Sequence, residues 1–301
     1  MGDKEIVSFP LLDLKFEIDR VAFAITDDIK VYWYGIIIAV GFVLAVLYAY
    51  KNSKRFGIVA DKVVDVAIFG IIGGIIGARA YYVIFSWDQY KDDIWGIFRV
   101  WKGGLAVYGG LIGGVIAGAI VCKLSKIKFT AMLDVAVIGF LIGQGLGRWG
   151  NFMNVEAYGA PMKTLLPWGM TSAKIVRELG VEAGTLVHPC FLYESLWCLL
   201  GVLVLHLYSK HRRFDGELTL FYCVWYGAER FVVEGLRTDS LLIGTVRVSQ
   251  ALALILCVGA TIIWITLRVL IHKKGDKNYL LPLGKQTIEV TVEENIDGED
   301  N

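Results

Sequence analysis

The stretch Gly147-Arg148-Trp149-Gly150-Asn151-Phe152-Met153-Asn154-Val155-Glu156-Ala157-Tyr158-Gly159 sets an arginine, two amides and a carboxylate at the end of a long apolar run. An Arg or Asp at the centre of a membrane helix costs roughly 2.5 to 3.5 kcal/mol on insertion scales, so such a cluster must pair, line a cavity or hold a ligand. A second set, Tyr226, Arg230, Glu234 and Arg237, is spaced i, i+4, i+8 and i+11. At 3.6 residues per turn these side chains share one narrow stripe. An Arg230 to Glu234 pair lowers the cost of that stripe from within. Guanidinium forks match phosphate oxygens, and a lipid offers a phosphate at membrane depth. Asn151 and Asn154 add donors for a head group or a peptide backbone. On their own these residues support a site for an anionic phospholipid and name no reaction.

The elements that must position them are membrane helices. Fifty-six per cent of the residues are hydrophobic, more apolar surface than a soluble core hides. A hydrocarbon layer of about 30 Å needs about 20 mostly apolar residues per helix. Segments 31–50, 63–85, 104–124, 129–148, 189–208, 216–236 and 247–271 meet that length. The expected fold class is therefore an all-α integral membrane protein, a seven-transmembrane-helix bundle with a small extracytoplasmic arm and head loop. Residues 1–30 form the arm, 31–271 the membrane domain with a head loop at 155–188, and 272–301 a disordered cytoplasmic tail ending in an acidic run.

Lys and Arg near helix ends stay on the cytoplasmic side. They follow the first segment (Lys51, Lys54, Arg55, Lys62), the third (Lys123, Lys126, Lys128), the fifth (Lys210, Arg212, Arg213) and the seventh (Arg268, Lys273, Lys274, Lys277). The opposite connections are mixed or acidic, with Asp88, Lys91, Asp92 and Asp93 in one and Asp13, Glu17, Asp19, Asp27 and Asp28 in the arm. The N-terminus is expected outside and the C-terminus inside. No basic start with a short apolar run and a small-residue cleavage site opens the chain, so the first span is expected to remain in the protein. Alternation over Leu12–Asp19 predicts a short strand, and the head loop is expected to hold a short helix at Ala173–Leu179 whose Lys174, Arg177 and Glu178 mark a solvated face.

With 1.5 Å of rise per residue, Arg79 and Arg148 lie near the outer ends of their segments. Glu194 lies about 8 Å inside the fifth. Tyr34 and Tyr108 sit one turn below the outer starts of the first and third. Arg230 and Glu234 occupy the outer half of the sixth, and a single outer cavity is expected to collect all of these. Other polar groups read as structural. Asp65 and Asp134 suit helix N-termini, and Pro189 suits a first turn. His188, just before it, fits a surface position as well as a functional one. Cys122, Cys190, Cys198, Cys223 and Cys257 lie in apolar segments without metal-ligand spacing. Glycines four apart, as in Gly73 and Gly77 or Gly109 and Gly113, permit close helix contact.

Three blocks, in the same order and topology, resemble the prolipoprotein diacylglyceryl transferase family. Residues 147–159 resemble its signature Gly-Arg-x-Gly-Asn-Phe-x-Asn-x-Glu followed by an aromatic and Gly. His188-Pro189-Cys190-Phe191-Leu192-Tyr193-Glu194 resembles its His-Pro-x-x-Leu-Tyr-Glu block. Tyr226-Gly227-Ala228-Glu229-Arg230-Phe231-Val232-Val233-Glu234, with Arg237 and Asp239, is similar to its late Arg/Glu stretch, and Tyr32-Trp33-Tyr34-Gly35 to its early Tyr-Gly element. The resemblance implies a bacterial inner-membrane enzyme. It would move a diacylglyceryl group from phosphatidylglycerol to the lipobox cysteine of a prolipoprotein, releasing glycerol phosphate, with no cofactor, no metal and no nucleic-acid partner. It further implies that Arg148 and Arg230 bind the phosphate and stabilise the departing glycerol phosphate, helped by Asn151, Asn154, Tyr34 and Tyr226. Glu156, Glu194, His188 and Arg237 would have orienting roles.

Gly103-Gly104-Leu105-Ala106-Val107-Tyr108-Gly109-Gly110 resembles a block in which many members carry histidine where this chain has Tyr108. Tyrosine, with a reference pKa near 10, is a poor resting base for a thiol near 8.5. Tyr108 is therefore expected to position lipid or thiol, with a phosphate oxygen or Glu234 accepting the proton. A transporter or channel is the rival reading of charges in a Gly-rich bundle. It is opposed by the mostly apolar inner halves of the segments. A phospholipid-binding protein without catalysis is the other rival.

Overall fold

A computed structural model describes residues 4–26, 30–91, 93–238, 242–243 and 246–273. The tail expected at 272–301 lies almost wholly outside them, as do Asp27, Asp28, Asp92 and Asp239. The chain divides into two compact units, residues 1–45 with 137–301, and residues 46–136.

In the first unit, β1 (Glu5–Phe9) pairs antiparallel with β2 (Leu14–Ile18), Val7 opposite Phe16. Strands β3 (Val21–Ala24) and β4 (Lys30–Tyr32) form a separate pair. Helix α1 (Trp33–Asn52) follows and runs on into the second unit. That unit holds α2 (Ala60–Phe85), α3 (Val107–Leu124) and the first turns of α4 (Phe129–Asn154). Helices α2 and α3 meet through their glycines. A Cβ on Gly73 would stand 2.7 Å from the Gly113 carbonyl oxygen, a distance that only a missing side chain permits.

Beyond α4 the head loop contributes β5 (Thr171–Ser172), which pairs on the other edge of β1, and α5 (Ala173–Leu179). Ser172 caps α5 by accepting the Ile175 N–H at 3.1 Å, and Gly180 closes it with φ +63°. Helices α6 (Cys190–Tyr208), α7 (Glu217–Leu236) and α8 (Val248–Lys273) complete the unit, with the short strands β6 (Leu242–Ile243) and β7 (Val246–Arg247) between the last two.

Among the described residues six helices are long and apolar enough to cross a membrane: those beginning at Trp33, Ala60, Val107, Phe129, Cys190 and Val248. Their outward faces carry large exposed hydrophobic residues such as Ile76, Ile116 and Ile255, as lipid-facing helices must. The protein is a multi-pass, mostly helical membrane protein. Helix α7 forms at the predicted place but falls outside that set, because Glu217, Glu229, Arg230 and Glu234 interrupt its apolar character.

The arm, the head loop and two helix ends share one core. Val7, Phe9, Ile18, Phe152, Val155, Tyr158, Met170, Ile175, Val187 and Phe191 are all buried in it. Phe152 at the end of α4 stacks on Phe191 at the start of α6 with centroids 4.7 Å apart, and Trp149 meets both rings edge-on. At the opposite ends of α6, α7 and α8, the fully buried Glu217 accepts hydrogen bonds from Tyr208 Oη (2.9 Å), Trp264 Nε1 (2.8 Å) and Arg268 Nε (2.6 Å). These two ties fix the three helices on which the site is built.

Candidate active site

Helix α4 runs six residues past the predicted end at Arg148, so the polar signature is helical up to Asn154. The cost of Arg148 in an apolar helix is met by an ion pair: its Nη2 lies 2.5 Å from Glu194 Oε2. Glu194, in the second turn of α6, is 1% exposed and gathers two further arginines. Arg230 Nη1 stands 3.7 Å from Oε2 and Arg237 Nη1 3.9 Å from Oε1. Arg230 Nη2 also lies 2.6 Å from Glu234 Oε2 one turn further along α7. Both oxygens of Glu194 are held by charge and proximity, with no directed hydrogen bond to either. The stripe on α7 and the arginine on α4 thus meet around one buried carboxylate.

The stripe continues inward. Tyr226 stacks on Tyr222 at 5.8 Å, and Gln144, one turn below Arg148, donates from Nε2 to Tyr222 Oη at 3.0 Å. Of this polar ladder on α4 and α7, the sequence pattern picked out Tyr226 but not Gln144 or Tyr222. Nor did it pick out Glu229. Beside Arg230 on α7, it is 5% exposed, its Oε1 has no hydrogen-bond partner, and it lies within electrostatic reach of Glu194, Arg148, Arg230 and Arg237. A carboxylate next to an arginine in an apolar helix was the available signal.

The end of α4 is shaped by strain. Val155 and Ala157 adopt φ of +48° and +55°, which costs roughly 1 to 3 kcal/mol for each non-glycine residue. The turn folds Glu156 back so that its Oε1 accepts from Asn151 Nδ2 (2.9 Å) and Asn154 Nδ2 (3.2 Å). Glu156 therefore orients the two amides, while Glu194 holds Arg148. The Asn154 carbonyl receives Arg20 Nη2 at 2.8 Å and Lys174 Nζ at 2.9 Å, two cations on the negative end of a helix. Lys174, expected on a solvated face, is thus bonded and only 15% exposed in its side chain.

Tyr34 in the first turn of α1 packs against Gly150, where a Cβ would come within 2.7 Å of its ring. Pro189 caps α6 instead of entering its first turn. His188 Nδ1 lies 3.2 Å from Tyr193 Oη, which accepts from Trp168 Nε1 at 2.8 Å, and burial lowers the His188 imidazole below its ordinary value. Its carbonyl accepts the Gly159 N–H at 2.8 Å.

Two predicted residues belong to the 46–136 unit. Tyr108 stands 67% exposed on the first turn of α3. Arg79 is buried, and its guanidinium is spent on the loop between α2 and α3: Nε donates to the Ile97 carbonyl, Nη1 to those of Gly103 and Gly104, and Nη2 to that of Gly96. Depth had placed Arg79 with the other arginines, but four backbone carbonyls claim it.

Fold and cluster together define a polytopic helical membrane protein in which half-buried arginines gather on buried glutamates at one end of α4, α6 and α7. The family model described as prolipoprotein diacylglyceryl transferase matches residues 20–266. A Clostridioides difficile protein named phosphatidylglycerol--prolipoprotein diacylglyceryl transferase is 42% identical over 260 residues, covering 86% of this chain and 98% of its own. A Finegoldia magna protein of that name is likewise 42% identical, over 86% of this chain and all of its own length. One from Listeria innocua is 43% identical over 80% and 87% of the two chains. The chain belongs to the prolipoprotein diacylglyceryl transferase family.

Proposed function

We propose that this protein transfers a diacylglyceryl group from phosphatidylglycerol to the lipobox cysteine thiol of a prolipoprotein, forming a thioether and releasing glycerol phosphate. The observation that carries the reading is the convergence of Arg148, Arg230 and Arg237 on Glu194, within a chain of this family. Arg148 and Arg230 bind the lipid phosphate and stabilise the charge that grows on it as the carbon–oxygen bond breaks. Cations already held in place do so without reorganising during the reaction. Glu194 and Glu234 keep the guanidinium groups aimed. Asn151 and Asn154, set by Glu156, offer donors to the head group or to the peptide, and Tyr34 and Tyr226 line the lipid. His188 and Arg237 hold the junction of head loop and α7, where Gly159 and Arg237 form a backbone bridge.

In this reading α7 is a seventh span, stabilised by its own ion pairs and by those to α4 and α6. Residues 1–30 and 155–188 lie outside the cell membrane, the C-terminus lies inside, and the membrane domain is 31–271 with a cytoplasmic tail at 272–301. The loop charges support this orientation. Tyr108 positions lipid or thiol by hydrogen bonding, which Tyr108→Phe and Tyr108→His test. Lost chemistry in the Phe variant with donor binding intact, restored by His, would make Tyr108 a proton carrier.

The function is tested by incubating purified protein with phosphatidylglycerol and a lipobox peptide, with or without its cysteine, and weighing peptide and released glycerol phosphate by mass spectrometry. A diacylglyceryl adduct confined to the cysteine peptide and lost in Arg148→Ala is the expected result. Donor binding without an adduct would leave a lipid-binding protein, and binding of neither substrate would overturn the reading.

A further inference from the structure

The thiol must lose a proton as it attacks, and three buried carboxylates stand near the phosphate-binding arginines. They are not equivalent. Glu194 Oε2 is 2.5 Å from Arg148, and Glu234 Oε2 is 2.6 Å from Arg230. A carboxylate held by a guanidinium at that distance has its negative charge already matched and is a poor proton acceptor. Glu229 has no ion pair among the described residues, and its buried Oε1 has no hydrogen-bond donor. Leaving a buried oxygen unpaired costs about 1 to 3 kcal/mol, so a partner that arrives with the substrate explains why the chain keeps it.

We propose that Glu229 is the catalytic base, taking the proton from the lipobox thiol; the inference rests on the transferase reading above. The sulfur–hydrogen bond breaks and the proton goes to Glu229 Oε1. The sulfur electron pair forms a bond to the glyceryl carbon that carries the phosphate ester. The carbon–oxygen bond breaks, and its electron pair stays on the departing glycerol phosphate. The proton then passes from Glu229 to that phosphate or to water, restoring the carboxylate.

Charge supports the assignment. The titratable and charged groups within electrostatic reach of Glu229 are Arg148 from α4, Glu194 and Cys198 from α6, and Tyr226, Arg230 and Arg237 from its own helix and its end. With Glu234, these give three cations against three carboxylates. A bound phosphodiester adds one negative charge, and a proton on Glu229 cancels it. A thiol near 8.5 and a carboxylate near 4.3 differ by about four decades in acidity. The transfer therefore accompanies carbon–sulfur bond formation, as general base catalysis does.

The test compares full-length wild type, Glu229→Gln and Glu229→Asp in phosphatidylglycerol nanodiscs, with a lipobox peptide bearing cysteine or selenocysteine. A selenol is already ionised at neutral pH and needs no base. With the thiol peptide, Glu229→Gln should lose about 10² to 10⁴-fold in kcat, with lipid binding unchanged and part of the rate returning in Glu229→Asp. With the selenol peptide, the Gln variant should come within about tenfold of wild type, since no base catalysis is left to lose. Equal slowing with both nucleophiles would overturn the proposal in favour of a role on the leaving group. A full rate with the thiol, or loss of lipid binding or folding in both variants, would overturn it as well. Failure of wild type with either peptide would instead locate the error in the transferase reading.

Discussion

Replacing Glu194 by Gln removes a carboxylate that three guanidinium groups share. Its oxygens stand 2.5 Å from Arg148, 3.7 Å from Arg230 and 3.9 Å from Arg237. Unit charges 4 Å apart attract by about 4 kcal/mol at an effective dielectric constant near 20, so each contact is of that order. Against them stands the desolvation of a side chain only 1% exposed, several kcal/mol for an ion. Removing one partner of a buried pair costs about 3 to 5 kcal/mol. The arginines keep 13 to 20% of their side-chain surface and can rehydrate, so the lower end, about 3 kcal/mol, applies. If that loss falls on the orientation needed in the transition state, kcat drops by about two decades at 1.36 kcal/mol each. Lipid affinity should not drop, because a negative charge has left the phosphate's surroundings. The expected outcome in steady-state transfer assays is therefore a fall in kcat with KM for phosphatidylglycerol equal or lower. Wild-type kcat, or a KM that rises at unchanged kcat, would refute the orienting role.

Gly159→Ala should destabilise the protein by about 1 to 3 kcal/mol, because the new Cβ would stand 2.7 Å from His188 Cβ and 2.9 Å from Cys190 Sγ; thermal unfolding in detergent reads this directly. Arg79→Lys should loosen the loop between α2 and α3. Four carbonyls lose a planar donor set that an ammonium cannot reproduce, and faster proteolysis within residues 93–104 is the expected sign. Burial holds His188 neutral below its usual titration range. Its contribution to stability is therefore complete above the unfolded value of about 6.5 and falls as pH drops below it, where the unfolded chain takes up the proton first. His188→Asn should flatten the decline in stability as pH falls below about 6.5, and an unchanged slope would show that other groups cause it.

Much of the site was legible because depth and periodicity are both set by the backbone. A rise of 1.5 Å and a turn of 3.6 residues placed Arg148, Glu194, Arg230 and Glu234 near one level, and the contacts among them are short. Short-range signals also fixed α5, whose Ser172 cap and Gly180 stop bound it at Ala173 and Leu179. What depth does not carry is the identity of a partner. Arg79 has the depth of a site residue, yet its loop supplies four acceptors. The span was ended at Arg148 because apolar character stops there, whereas the helix itself continues to Asn154 with Arg148 paired to Glu194. Glu229 was passed over because a stripe counted in steps of four skips the residue 100° away. The pairing of β1 with β5 joins residues about 165 apart, beyond any local pattern.

On the transferase reading proposed above, the balanced charge count of the cluster bears on how such a site can turn over. A phosphodiester carries one negative charge, and the glycerol phosphate that leaves carries nearly two at neutral pH. Arginines therefore attract the departing group more strongly than the bound lipid, and that difference is what lowers a barrier. Unopposed, the same attraction would hold the product. Glu194 and Glu234, at ion-pair distance from the guanidinium groups, reduce the field felt by lipid and product alike while fixing the geometry in which the difference acts. A cage of arginines alone would bind phosphate more tightly and release it more slowly, so in the proposed phosphate site the buried carboxylates matter as much as the cations they hold.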